Sequence, residues 1–186
     1  MNKTNKLTVS ALFFSIGLIL PFFTGQIPAI GKMLCPMHFP VLLCGLIAGW
    51  QYGLIVGFFL PLARSFLFGV PVLFPGGIAM AFELATYGLV IGYLYEHSRW
   101  QCVKALYRCL LTAMVAGRLV WGAARVLLLG IGGGTFTWEL FLSGALLNAI
   151  PGIILQLILV PAIMVSLNRA KIIPFKKIPS INNICQ

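Results

Sequence analysis

Met33-Leu34-Cys35-Pro36-Met37-His38-Phe39-Pro40-Val41-Leu42-Leu43-Cys44-Gly45-Leu46-Ile47-Ala48-Gly49-Trp50-Gln51-Tyr52-Gly53-Leu54-Ile55-Val56-Gly57-Phe58-Phe59-Leu60-Pro61-Leu62-Ala63 is a run of 31 residues without Asp, Glu, Lys or Arg. One bilayer crossing takes roughly 20 mostly apolar residues, so this run holds two crossings or a re-entrant hairpin. Three more uncharged runs, at 7–31, 65–82 and 140–168, flank it. Across all 186 residues 60% are hydrophobic and 9% charged, against about 25% charged in a soluble domain. An ordinary soluble globule is excluded, and the polar segments are too short for a soluble catalytic domain.

Hydropathy and the placement of Gly and Pro predict an all-α membrane protein with six transmembrane helices, at about 7–23, 38–50, 53–68, 77–95, 107–130 and 140–167. The second and third are short, and the tight turn Gly49-Trp50-Gln51-Tyr52-Gly53 between them also suits a re-entrant hairpin. Thirteen Lys and Arg against three Asp and Glu give a net charge of +10. In a soluble chain that balance points to nucleic acid; in this one it sets topology. With the N-terminus inside, Lys3, Lys6, Arg99, Lys104, Arg108, Arg169, Lys171, Lys176 and Lys177 all face the cytoplasm and only Lys32 falls in an outer loop. Both termini are therefore expected to be cytoplasmic. Residues 1–168 form one membrane domain, and 169–186 a basic cytoplasmic tail suited to anionic headgroups or an acidic partner.

The outer connections are then Thr24–Met37, Gly69–Gly76 and Ile131–Glu139, all rich in Gly or Pro. The first carries Gln26 and leads to His38, and it is long enough to serve as a lid or merely to connect. The apolar run after Lys3 and Lys6 lacks a small-residue cleavage site, so it reads as a first span rather than a signal peptide. The five cysteines show no CxxC and no disulfide framework. His38 and Cys35 alone do not make a metal site, and neither metal nor cofactor is expected.

Ionisable residues inside a bilayer are costly and mark function or pairing. Arg64, Glu83, Arg118 and Arg125 are the four here. At about 1.5 Å per residue, Arg64, Glu83 and Arg125 fall in one layer roughly 6 to 9 Å below the outer boundary. Arg118, Trp121, Gly122 and Arg125 follow i, i+3, i+4, i+7 spacing and share a face; Met80, Glu83 and Tyr87 share another, and Asn148, Gly152 and Gln156 a third. Three cations against one carboxylate suit an anionic solute, gripped by arginine and stacked on Trp121. The plainer reading is an intramembrane Glu83–Arg125 ion pair, with Arg64 reaching for the interface and Asn148 and Gln156 joining helices by hydrogen bonds.

No HExxH, GxSxG or paired-carboxylate motif occurs, which disfavours an intramembrane enzyme, and no Walker motif occurs, so energy for pumping must come from a partner or an ion gradient. On the first span Ala11 and Ser15, four apart with Gly17 nearby, form a small-residue face that permits close helix approach.

A basic six-span chain of this size with a small-xxx-small first helix and no ATPase motif resembles the substrate-binding S components of energy-coupling factor (ECF) vitamin transporters. The stretches Gly31 to Gly45 and Met80-Ala81-Phe82-Glu83-Leu84-Ala85-Thr86-Tyr87-Gly88 resemble blocks of one S-component subgroup, and the likeness covers about residues 5–168. It implies a non-enzymatic subunit of a bacterial cell membrane that binds a vitamin or related micronutrient at its extracellular side, in the outer halves of spans four to six under the first and third outer loops. It further implies a membrane coupling (T) protein and two cytoplasmic ATPases as partners, with Ala11 and Ser15 at the coupling-protein face; Ser15 replaces the second Ala of the family's AxxxA pattern. On this reading Arg125 is the main anion anchor, Arg64 and Arg118 support it, Trp121 stacks, and Glu83, Tyr87 and Asn148 orient the polar part. Pantothenate fits by charge and size. A stand-alone ion-coupled transporter or channel is the competing function.

Overall fold

The computed structural model describes residues 2–23, 36–98, 102–131 and 150–170, and these are helical with short turns and no strand among them. Six α-helices follow in order: α1 (Lys3–Phe23), α2 (His38–Ala48), α3 (Trp50–Phe68), α4 (Ile78–Glu96), α5 (Val103–Ile131) and α6 (Ile150–Arg169), with a π-helical turn, Leu73–Gly77, leading into α4. Apolar runs of this length can bury their backbone in hydrocarbon only by closing every hydrogen bond within the segment, and the helix does so. Five of the helices are long and apolar enough to cross a membrane. The basic tail lies outside the described residues apart from its first two, Arg169 and Ala170.

The second expected span, 38–50, is the short helix α2. Helix α2 has 11 residues, about 16 Å of helix against a hydrocarbon thickness of about 30 Å. Within the uncharged run from Met33, α3 is of span length and α2 is not. Nor is Gly49–Gly53 a five-residue turn: Gly49 alone breaks the helix, at φ 105°, and α3 starts at Trp50. That left-handed φ comes without penalty only to glycine. Pro40 sits in the first turn of α2, where a missing N–H goes unnoticed. Gly69 ends α3 in the left-handed region, and its N–H donates to the Ser65 carbonyl at 3.0 Å.

Helices α2, α3 and α4 touch through glycine. A Cβ on Gly45 would lie 2.7 Å from the Gly88 carbonyl oxygen, one on Gly53 2.7 Å from the Gly45 Cα, and one on Gly92 2.6 Å from the Trp50 Cα; a Cβ on Gly88 would strike the Gly53 carbonyl. Small residues allow backbones to approach this closely, and in lipid such packing replaces the hydrophobic drive that water supplies elsewhere. Two apolar clusters grow from this centre. One joins Leu42 and Leu46 of α2 to Ile91 of α4, Leu106 and Leu110 of α5, and Val160 and Met164 of α6. The other joins Val41 and Cys44 to Val56, Leu60 and Leu84, with Phe13 and Leu18 of α1 against it. Outward faces carry large apolar side chains such as Leu119, Leu127 and Ile158, as a lipid-facing surface requires.

Candidate functional site

Glu83 lies on the second turn of α4, 1% exposed. One of its oxygens, Oε1, collects three neighbours. Tyr87, one turn along α4, donates its hydroxyl at 3.0 Å. Arg118 of α5 places Nη1 at 3.1 Å. His38, the first residue of α2, brings Nε2 to 3.6 Å, which is outside hydrogen-bonding range. A buried carboxylate persists in low dielectric when a cation and hydrogen-bond donors share its charge, and Arg118 and Tyr87 supply both. Tyr87 is positioned from the other side by Gly117, where any Cβ would collide with the phenol ring. The His38 and Tyr87 rings lie 5.2 Å apart, tilted by 57°.

His38 was expected on a loop or lid. It is instead the first residue of α2, 2% exposed, beside Tyr87 and Glu83 of α4. Neither of its ring nitrogens has a hydrogen-bond partner among the described residues.

The other arginines part company. Arg125, two turns beyond Arg118 on α5, lies over the Trp121 ring with 5.4 Å between Cζ and the ring centroid. Its Nε is buried without a hydrogen-bond partner, and it forms no ion pair among the described residues. The Glu83–Arg125 pair of the plainer reading is not formed; Glu83 pairs with Arg118. Arg64 belongs to a different contact. It is 3% exposed and donates from Nη1 to the Leu18 carbonyl of α1 at 2.8 Å, with its Cζ 5.4 and 5.6 Å from the ring centroids of Phe22 and Phe68, which themselves meet edge to face. The common depth expected from counting residues does not make a common cluster: Arg64 bonds to α1, Glu83 to Arg118, and Arg125 stacks on Trp121.

Gln156 is 2% exposed on α6, below the buried Gly152. Asn148 and Gln26 lie outside the described residues. Ala11 and Ser15 are exposed on α1, with the Ser15 hydroxyl turned back onto the Ala11 carbonyl at 3.0 Å. The opposite side of α1 packs inward through Ser10, near Cys44, and through Gly17, against Leu60. Sequence reasoning missed the Gly117 seat and the Arg64 tie to α1; neither has a local signature, because each is defined by a partner on another helix.

No curated protein and no solved structure matched the chain. The model of one family, described as the ECF transporter substrate-specific component, matched residues 5–164. That match takes in α1, α2, α3, α4 and α5 and most of α6, including the buried Glu83 centre and Arg125. With five span-length helices and almost the whole bundle inside the matched range, the chain belongs to the family of substrate-specific components of ECF transporters, which are integral membrane transport subunits rather than enzymes.

Proposed function

We propose that this S component captures an anionic vitamin or related micronutrient at the extracellular side of a bacterial cell membrane, for ATP-driven uptake by a membrane coupling protein and two cytoplasmic ATPases. The observation that carries the reading is Arg125, a membrane arginine stacked on Trp121 and without an ion pair among the described residues. A guanidinium in a membrane needs a counter-charge or water, and a carboxylate or phosphate offers the fork its preferred partner. Arg118 already serves Glu83 and Arg64 already serves α1, so anion binding concentrates on Arg125. Trp121 supplies an apolar plate, and Glu83 and Tyr87 form a polar wall two turns away. Asn148, ahead of α6 in the sequence, and Gln26, in the first outer connection, are proposed to complete the site. The outward Ala11 and Ser15 suit close docking of α1 on the coupling protein.

The test is purification in mild detergent followed by mass spectrometry of the solute released on denaturation. An anionic micronutrient such as pantothenate is expected; a neutral or cationic solute overturns the reading.

A further inference from the structure

His38 is not accounted for by anion binding at Arg125. A buried imidazole ordinarily satisfies at least one nitrogen, yet His38 is 2% exposed and neither nitrogen has a hydrogen-bond partner among the described residues. Its nearest charged neighbour, Glu83 Oε1, stands at 3.6 Å and is already taken by Tyr87 and Arg118. A neutral imidazole offers one donor and one acceptor, and beside it the carboxylate offers an acceptor. A hydroxyl or N–H group on a bound solute matches that set. A second anionic group would meet the Glu83 charge, and a cation would meet Arg118, so the matching group is neutral.

Geometry sets where on the solute this group lies. Arg118, which touches Glu83, and Arg125 are seven residues apart on one face of α5 with Trp121 between them, an axial separation of about 10 Å. We propose that the solute anchored by Arg125 carries a neutral hydroxyl or N–H group about 10 Å from its anionic group, and that His38 and Glu83 read that group. His38 is thereby a specificity-determining residue and the solute a two-ended one, acidic at one end and neutral but hydrogen-bonding at the other. The inference rests on the proposed anion site, and it adds a second contact that an acid with a purely apolar tail cannot make.

The solute released from the wild-type protein is identified, and its affinity for solute-free protein is measured by calorimetry beside two derivatives. One derivative is methylated on the remote hydroxyl or N–H, and the other is esterified on the acid. Methylation is expected to weaken binding about 10- to 100-fold, the cost of leaving buried polar groups unmet. His38→Phe should match that loss with the native solute, whereas His38→Gln, which keeps a donor and an acceptor, should recover most of it. If His38→Phe does not fold, the derivatives on wild-type protein still decide. A solute without a remote neutral donor, or equal binding of the methylated derivative, overturns this inference and leaves the Arg125 site standing. Undiminished binding of the ester, or release of no anionic solute, overturns the anion site and this inference with it.

Discussion

Glu83 is the residue on which the interior turns, because its buried charge is shared with Arg118 and Tyr87. Removing one member of a buried pair leaves the other uncompensated, at a cost of about 3 kcal/mol or more. Glu83→Gln should therefore lower the melting temperature of the solute-free protein in detergent, and adding Arg118→Met should recover most of the loss. Equal melting of the single and double variants would show that the pair carries no such strain. Arg125 behaves differently, since it has no ion-pair partner among the described residues to strand. Arg125→Ala should leave melting of the solute-free protein unchanged and weaken solute binding by about 100-fold, as loss of a charge-assisted bidentate contact does; unchanged affinity in calorimetry would remove it from the site. The four ionisable residues were legible in the sequence as expensive and therefore meaningful. Their partners were not, because pairing depends on helix rotation and depth together, and only depth follows from counting.

Among the elements, α2 shows how local signals and tertiary context divide the work. Pro36, Pro40 and Gly49 mark its ends in the sequence, but its shortness matters only beside α4, where it leaves His38 buried at its tip. The glycines of α2, α3 and α4 set the distance between these helices. Gly88→Ala, whose Cβ meets the Gly53 backbone, should destabilise the protein by about 2 kcal/mol, the scale of overpacking against atoms that cannot yield. Gly130→Ala on α5 meets nothing within 4 Å and should be neutral or slightly stabilising, by up to about 1 kcal/mol. Parallel melting of the two variants checks the contrast, and equal losses would contradict it. Helix α1 is the most exposed of the span-length helices, and Ala11→Leu should abolish co-purification with the coupling protein while solute binding persists. An intact complex would move the docking face elsewhere.

At the scale of the whole molecule, the proposed function requires partner subunits. In liposomes the protein alone should bind solute without accumulating it, and ATP-dependent accumulation should appear only with the coupling protein and both ATPases; uptake by the protein alone, driven by an ion gradient, would favour the stand-alone transporter. The topology is tested by Asn2→Cys and Arg169→Cys in a background with the five native cysteines replaced by serine or alanine, both expected to react with an impermeant maleimide only after the cells are opened. The amino-acid sequence by itself determined that the chain is a helical membrane protein and which few residues there are costly to bury, since charge gaps, periodicity and the +10 imbalance are one-dimensional quantities. Its matched blocks also carried the family. Tertiary structure alone decided that Glu83 pairs with Arg118, that Arg64 holds α1, and that His38 lies inside the bundle rather than over it. Those outcomes depend on how far each helix extends and which way it is turned when glycine contacts bring it against its neighbours, and no single segment contains that information.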